Sequence, residues 1–361
     1  MIIIMILENL LQNISLKEYT TIKLGGFAKY FAECNSEEEI KDALIYSQQN
    51  KLKTFILGGG SNVVFSDNGF NGLVIKINLK GLQIHSETKD RIILKVSAGE
   101  NWDNFVKYCV NNNLAGLECL SGIPGSVGAS PMQNIGAYGQ EVKNTIIYVK
   151  TLDRETFKPV VFTNEDCDFG YRQSRFKNQD KDRYIITEVM FRLVRGGEPE
   201  IKYPELIKSI YEDIKPEDTI NGKPGLSKVR ETVLNLRRKK SMVVDENDPD
   251  SVSCGSFFLN PVISEDDFKE LLNKIPHTET QIPNYPTEEG IKLSSAFLIE
   301  QSGFVKGFTK NGIGISSKHS LAIINMGGTT KALIELTEEI KSAVYQKFGI
   351  SLVPEPEIVA G

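Results

Sequence analysis

Apolar and polar positions along the chain alternate in short blocks that predict a mixed set of strands and amphipathic helices. Ser36 and Glu39 form a capping-box pair, and Ile40, Ala43 and Leu44 then share one face of a helix running to Gln49. Lys53-Thr-Phe-Ile-Leu57 is a short apolar run of strand type that feeds Gly58-Gly59-Gly60-Ser61-Asn62, and Val63-Val64-Phe65 resumes the apolar pattern. Between Gly72 and Ala98 the runs Leu73–Ile77 and Ile92–Val96 predict further strands. Trp102, Phe105, Val106, Cys109 and Val110 recur at i, i+3, i+4, i+7 and i+8, so a helix is expected there with the tryptophan in a core. Strand patterns follow over 145–153, 158–162 and 184–193, and composition shifts near Gly196 and Gly197. A helix over 227–241 closes with Arg237-Arg238-Lys239-Lys240, cations that suit a helix C-terminus and read as a solvated end unless they meet an anionic substrate. The acidic Asp245-Glu246-Asn247-Asp248 and Pro249 read as a mobile connection. Ser264 caps a helix carrying Phe268, Leu271, Leu272 and Ile275. A last helix runs from Thr330 to Phe348, with Leu333, Leu336, Ile340 and Val344 inward and Gly349 at its end.

One stretch departs from all these patterns. From Leu120 to Gly139 the chain carries Gly122, Gly125, Gly128, Gly136 and Gly139 among small residues, with little charge. Bare backbone of this kind can turn N–H groups onto an anion, so a phosphate-bearing cofactor is one reading and a packed glycine-rich turn the other. The Gly58–Gly60 loop lacks the Lys-Ser/Thr ending of a P-loop and the spacing of a dinucleotide fingerprint, and alone it reads as a tight strand connection.

Length and charge narrow the classes. The 361 residues suffice for two or three cores, and a net charge of −5 gives no field for a nucleic acid backbone or an anionic membrane. The 5 cysteines lie far apart, with no C-x-x-C pair, which points to a reducing, cytoplasmic setting. The apolar Met1–Leu7 run is too short to span a bilayer and reads as the start of a strand or helix. His85, His277 and His319 show no zinc spacing, so no metal is expected.

Three short stretches could carry chemistry. Tyr171 and Arg172 end a strand-like run, and a guanidinium fork there can grip a planar carboxylate. Ser256 sits between Gly255 and two aromatics, and Glu355-Pro356-Glu357 sets two carboxylates in a stiff segment. A surface ion pair, a buried turn serine and an exposed tail are the plain alternatives. No catalytic serine elbow or kinase motif set is present.

Taken together, the motifs Thr20–Gly26, Ile56–Asn62, Gly99–Trp102, Ile123–Gly128, Gln133–Gly139, Tyr171-Arg172, Gly255–Phe258 and Glu355–Glu357 closely resemble the UDP-N-acetylenolpyruvoylglucosamine reductase family, in order and over nearly the whole chain. The resemblance implies an α+β protein. An FAD-binding module of the vanillyl-alcohol-oxidase type would occupy two subdomains, 1–78 and 79–240, and an α+β substrate domain 241–361. It implies non-covalent FAD held by Gly58, Gly59, Gly60, Ser61, Asn62, Gly122, Pro124, Gly125, Ser126, Gly128, Ser130, Asn134, Gly136, Ala137 and Tyr138. NADPH would be the reductant, UDP-N-acetylglucosamine enolpyruvate the substrate, and the enzyme a cytoplasmic monomer of peptidoglycan synthesis.

By the same resemblance, Tyr203 marks the subclass with a tyrosine-bearing loop that closes over the UDP group. Tyr171, Lys240, Asn260, Tyr285 and Lys292 are expected substrate or nicotinamide contacts. Where some relatives carry a glutamine near the diphosphate this chain has Lys318-His319-Ser320, which makes His319 a candidate contact. Reduced flavin would deliver hydride to the terminal enolpyruvyl carbon, with Arg172 and Glu357 stabilising charge on the substrate carboxylate. Glu357 would then need its proton, expected from burial, and Ser256 would protonate the adjacent carbon. Cys254, two residues away, is the rival donor if the segment is extended. An FAD-linked oxidase of a small alcohol or sugar and a non-enzymatic flavin-binding protein are the competing functions.

Overall fold

The structure is a computed structural model that describes residues 10–220, 223–274 and 282–361. The Met1–Leu7 run, Ile275 and His277 lie outside the described residues. The chain divides into two compact units. One comprises residues up to 14, Ala28–Gly59 and Asn71–Lys239, and the other Ser15–Phe27, Gly60–Phe70 and Lys240–Gly361. The first of the three pieces expected from sequence, 1–78, thus contributes to both.

The first unit holds two main sheets. A four-stranded sheet runs in the order Leu10–Ser15, Phe27–Cys34, Phe70–Ile77, Lys53–Leu57, and its last pair is parallel. The helix Glu37–Gln49 is capped as expected, with Ser36 Oγ accepting from the Glu39 amide, while the Glu39 carboxylate reaches the Asn35 amide. The second sheet is antiparallel, in the order Pro159–Thr163, Ile146–Asp153, Tyr184–Arg195, Arg91–Ser97, Leu82–Glu87. Helix Trp102–Asn111 covers it with the five residues that the periodicity selected, all buried. Trp102 belongs to the core, and its indole N–H donates to the Leu120 carbonyl at 3.0 Å. A large side chain buried this fully contributes about 1.5–3 kcal/mol through the area it removes from water.

The second unit is built on the antiparallel strands Ser253–Ser256, Ala322–Asn325, Ile313–Ile315 and Thr309–Lys310, with a smaller sheet of Val262–Ile263, Gly290–Leu293 and Asn284–Thr287. Helix Thr330–Phe348 seals the core with Leu333, Leu336, Ile340 and Val344, and ends at Gly349 with φ 70°. No described helix is long and apolar enough to cross a membrane.

In the Leu120–Gly139 stretch Leu120, Ser121, Val127, Ser130 and Asn134 are buried, as a packed turn requires. Three local expectations are corrected. The acidic Asp245–Asp248 segment is not mobile: Asp248 accepts from Ser241 Oγ, Ser251 Oγ accepts from the Asp245 amide, and a short 3-10 turn, Pro249–Ser251, follows. The run before Arg172 is a turn rather than a strand, since Asp168 adopts φ 48° after the 3-10 turn Glu165–Cys167. Glu357–Val359 is no tail: it forms a parallel pair with Val63–Phe65.

Candidate active site

In the first unit the glycine loops meet backbone to backbone. A Cβ on Gly59 would lie 2.4 Å from the Gly125 Cα, and one on Gly58 would touch Ser126 Oγ at 3.0 Å. The long loop is held from behind. Its Val127 and Gly128 amides donate to the Glu100 and Ala98 carbonyls, and the Gly122 amide donates to Asp103. The packed-turn reading is met at both places: Gly128 is a packing glycine against Ala98, and Gly59 and Gly125 approach too closely to admit a side chain between them.

The loop rests on charges that periodicity did not flag. Asp103 takes a bidentate grip from Arg230, at 2.7 Å on each oxygen. Burial pushes the Asp103 carboxyl up, but the Arg230 hydrogen bonds, the Gly122 amide and the Arg230 and Arg237 charges outweigh it and leave it below the ordinary range. Of the cations expected at a solvated helix end, Arg238 and Lys239 are exposed, but Arg237 is buried and faces Tyr138 and Asp103 electrostatically. A carboxyl depressed in the folded state stabilises it above the unfolded value of about 3.9 and loses that contribution as pH falls through the folded value. Asp103→Asn should therefore lower the Tm at pH 7 by the equivalent of about 3 kcal/mol and flatten the Tm-against-pH curve below about pH 4. An unchanged acid limb would contradict this role.

Another group missed was signalled in the sequence. Lys76 interrupts the apolar strand, and its ammonium donates to the Gly58 carbonyl. Burial lowers its pKa. Glu118 and Gln140 form a second buried support, with Gln140 Nε2 on Glu118 at 2.8 Å and Gln140 Oε1 accepting from the Cys119 amide.

Arg172 has φ 103°, a backbone setting that costs a non-glycine residue about 1–3 kcal/mol. Its guanidinium donates to the Asn134 carbonyl at 3.2 Å and the Gly136 carbonyl at 2.6 Å, which ties the arginine to the glycine-rich loop. The Tyr171 ring lies beside it, 5.7 Å from centroid to guanidinium carbon. The Asn134 side chain bonds Glu141, the Gly170 carbonyl and the Lys143 amide, and its own amide donates to the Pro131 carbonyl, so the residue is a structural node of the loop. Tyr138 and Tyr203 meet edge to face at 5.5 Å, and Lys202 packs over Gly139, so the tyrosine loop is seated on the glycine loop.

In the second unit Ser256 is half-buried at the end of Ser253–Ser256, with its Oγ 3.4 Å from His319 Nε2. Cys254 points elsewhere. Gly255 has φ 75° and the strand register shifts there, so the two-residue period that would put Cys254 and Ser256 on one face is broken. The Cys254 thiol lies in the core, 3.8 Å from the Val63 carbonyl, and burial pushes it up to about 12. A buried neutral thiol is poorly placed as an acid.

Glu357 is exposed on its strand and its amide donates to the Asn62 carbonyl, so the expected burial of this carboxyl is not observed. Asn62 Nδ2 donates to the Glu355 carbonyl at 3.3 Å. Asn260 Oδ1 accepts from the Ser295 amide, capping helix Ser295–Gln301. Tyr285 and Lys292 are cross-strand neighbours on a hairpin, with Tyr285 exposed, and Lys240 is half-buried after helix Leu226–Lys239.

The bare main-chain contact between the glycine loops, with a desolvated ammonium beneath it, fits a diphosphate-bearing cofactor. The FAD-binding-domain family matches residues 28–156, and the C-terminal-domain family of UDP-N-acetylenolpyruvoylglucosamine reductase matches residues 248–359. The chain is thus an FAD-dependent oxidoreductase with an FAD-binding domain and a C-terminal domain in an α+β fold. The UDP-N-acetylenolpyruvoylglucosamine reductase of Thermobifida fusca is 41% identical over 96% of this chain and 97% of its own length. That of Flavobacterium johnsoniae is 36% identical over 96% and 98%. The chain belongs to the UDP-N-acetylenolpyruvoylglucosamine reductase family. A crystal structure of the reductase from Thermus caldophilus shares the fold, with a TM-score of 0.64 at 22% identity, covering 97% of this chain and 98% of that one.

Proposed function

We propose that this enzyme uses NADPH to reduce the enolpyruvyl group of UDP-N-acetylglucosamine enolpyruvate, giving UDP-N-acetylmuramate. The observation that carries the reading is Ser256, a half-buried hydroxyl that the register shift at Gly255 separates from the rival thiol, which is sealed in the core. When bound and reduced, FAD supplies hydride for the terminal carbon of the double bond. Arg172, clamped by two loop carbonyls, offers its guanidinium to the substrate carboxylate, where negative charge grows as hydride adds. Ser256 donates its proton to the adjacent carbon. Glu357, exposed on its strand, shares a proton with the same carboxylate. Tyr203 closes over the UDP group. Tyr171, Lys240, Asn260, Tyr285 and Lys292 contact substrate or nicotinamide, and the enzyme acts in the cytoplasm.

An oxidase of small alcohols has no use for a proton donor, and a binding protein needs neither that donor nor a clamped cation. The test is turnover with NADPH and the enolpyruvyl nucleotide. One NADPH should disappear per product, and the product should be heavier by two hydrogens. Unchanged nucleotide, or oxygen consumption with alcohols in its place, would refute the reading.

A further inference from the structure

Ser256 is not left alone with its hydroxyl. The bulge at Gly255 sets Ser256 opposite Ala322, three residues after His319, and the Ala322 amide closes a turn by donating to the His319 carbonyl at 3.0 Å. The turn is pinned. The His319 amide donates to Ser316 Oγ, Ser316 Oγ donates to Asp250 at 2.8 Å, and Asp250 also accepts from the Ser317 amide and hydroxyl. Lys318 pairs with Asp248 at 3.0 Å. The acidic segment that looked like a tether therefore fixes the backbone that aims an imidazole at the serine.

We propose that His319 is a proton relay for Ser256, resting on the reading that Ser256 is the donor. A serine whose own hydrogen pointed at the imidazole could not protonate carbon. With His319 as the imidazolium and Ser256 Oγ accepting its Nε2 hydrogen, the serine proton is free to face the substrate carbanion. As the new C–H bond forms, the electron pair of the serine O–H bond stays on oxygen. The imidazolium Nε2 proton passes to that oxygen, and a solvent proton restores the imidazolium, which is the proton the overall reduction consumes. The relay removes the need to leave a bare serine alkoxide in the site.

The test separates the two half-reactions in His319→Ala, His319→Gln and Ser256→Ala, each with FAD bound. Both His319 variants should be bleached by NADPH at the wild-type rate and recoloured by saturating substrate about 10–100-fold more slowly. Added imidazole should partly rescue His319→Ala. Glutamine can hold the serine by a hydrogen bond but cannot pass on a proton, so near-wild-type recolouring in His319→Gln would overturn the relay. Weaker substrate binding with an unchanged saturating rate would also overturn it and make His319 a diphosphate contact. If Ser256→Ala recolours normally, the donor reading itself fails. If Ser256→Ala is slow and both His319 variants are fast, only the relay fails.

Discussion

Ser256→Ala should be reduced by NADPH as fast as the wild-type enzyme, while its reoxidation by the enolpyruvyl substrate slows on the order of 10³–10⁴-fold. The asymmetry follows from position. Ser256 is not among the residues expected to hold the cofactor, and reduction of the flavin needs no proton on carbon, so the cofactor should remain bound and reducible. Only the step that needs a proton on carbon loses its acid. Cys254 cannot take over, because it faces the Val63 carbonyl inside the core. Anaerobic stopped-flow absorbance separates the two steps, and equal loss in both would mean damage to the fold rather than to chemistry.

The second large effect concerns the cofactor. Gly59→Ala should purify colourless, with far-UV circular dichroism close to wild type. The added Cβ meets the Gly125 Cα at 2.4 Å and its carbonyl carbon at 2.7 Å, so the clash is with main chain and no side chain can swing away. Separating the loops by the ångström or so needed would pull apart the groups proposed to hold the diphosphate. Gly170→Ala is the control. Its Cβ would meet only the Gln173 Cβ at 3.7 Å, an ordinary contact, so flavin should be retained. A yellow Gly59→Ala protein with normal affinity would show that these loops are not the cradle.

These residues also show how far the chain could be read before its fold was seen. Helix Trp102–Asn111 and the long C-terminal helix were legible because one apolar stripe repeats at the helical period and a capping side chain or a glycine marks an end. Local pattern could not show how Leu120–Gly139 is held, since Asp103, which takes the Gly122 amide, is itself fixed by Arg230 on another helix, far away in sequence. Nor could it place Cys254 and Ser256 on different faces. An extended period of two was the natural expectation, and a positive φ at Gly255 undid it. Asp245–Asp248 with Pro249 looked like linker because acidic residues beside proline usually are one, whereas Asp248 and the following Asp250 hold the turn that carries His319. Lys76 was the readable exception, a charge inside an apolar strand that required a partner and found one in the Gly58 carbonyl.

The most direct measurement is an anaerobic titration of the purified yellow protein, first with NADPH and then with UDP-N-acetylglucosamine enolpyruvate. The flavin absorbance should bleach with one equivalent of NADPH and return in full with one equivalent of the enolpyruvyl nucleotide, with oxygen absent throughout. Absorbance that stays bleached until air is admitted would contradict the account, because the enolpyruvyl double bond would then not be the acceptor of the electrons this protein carries.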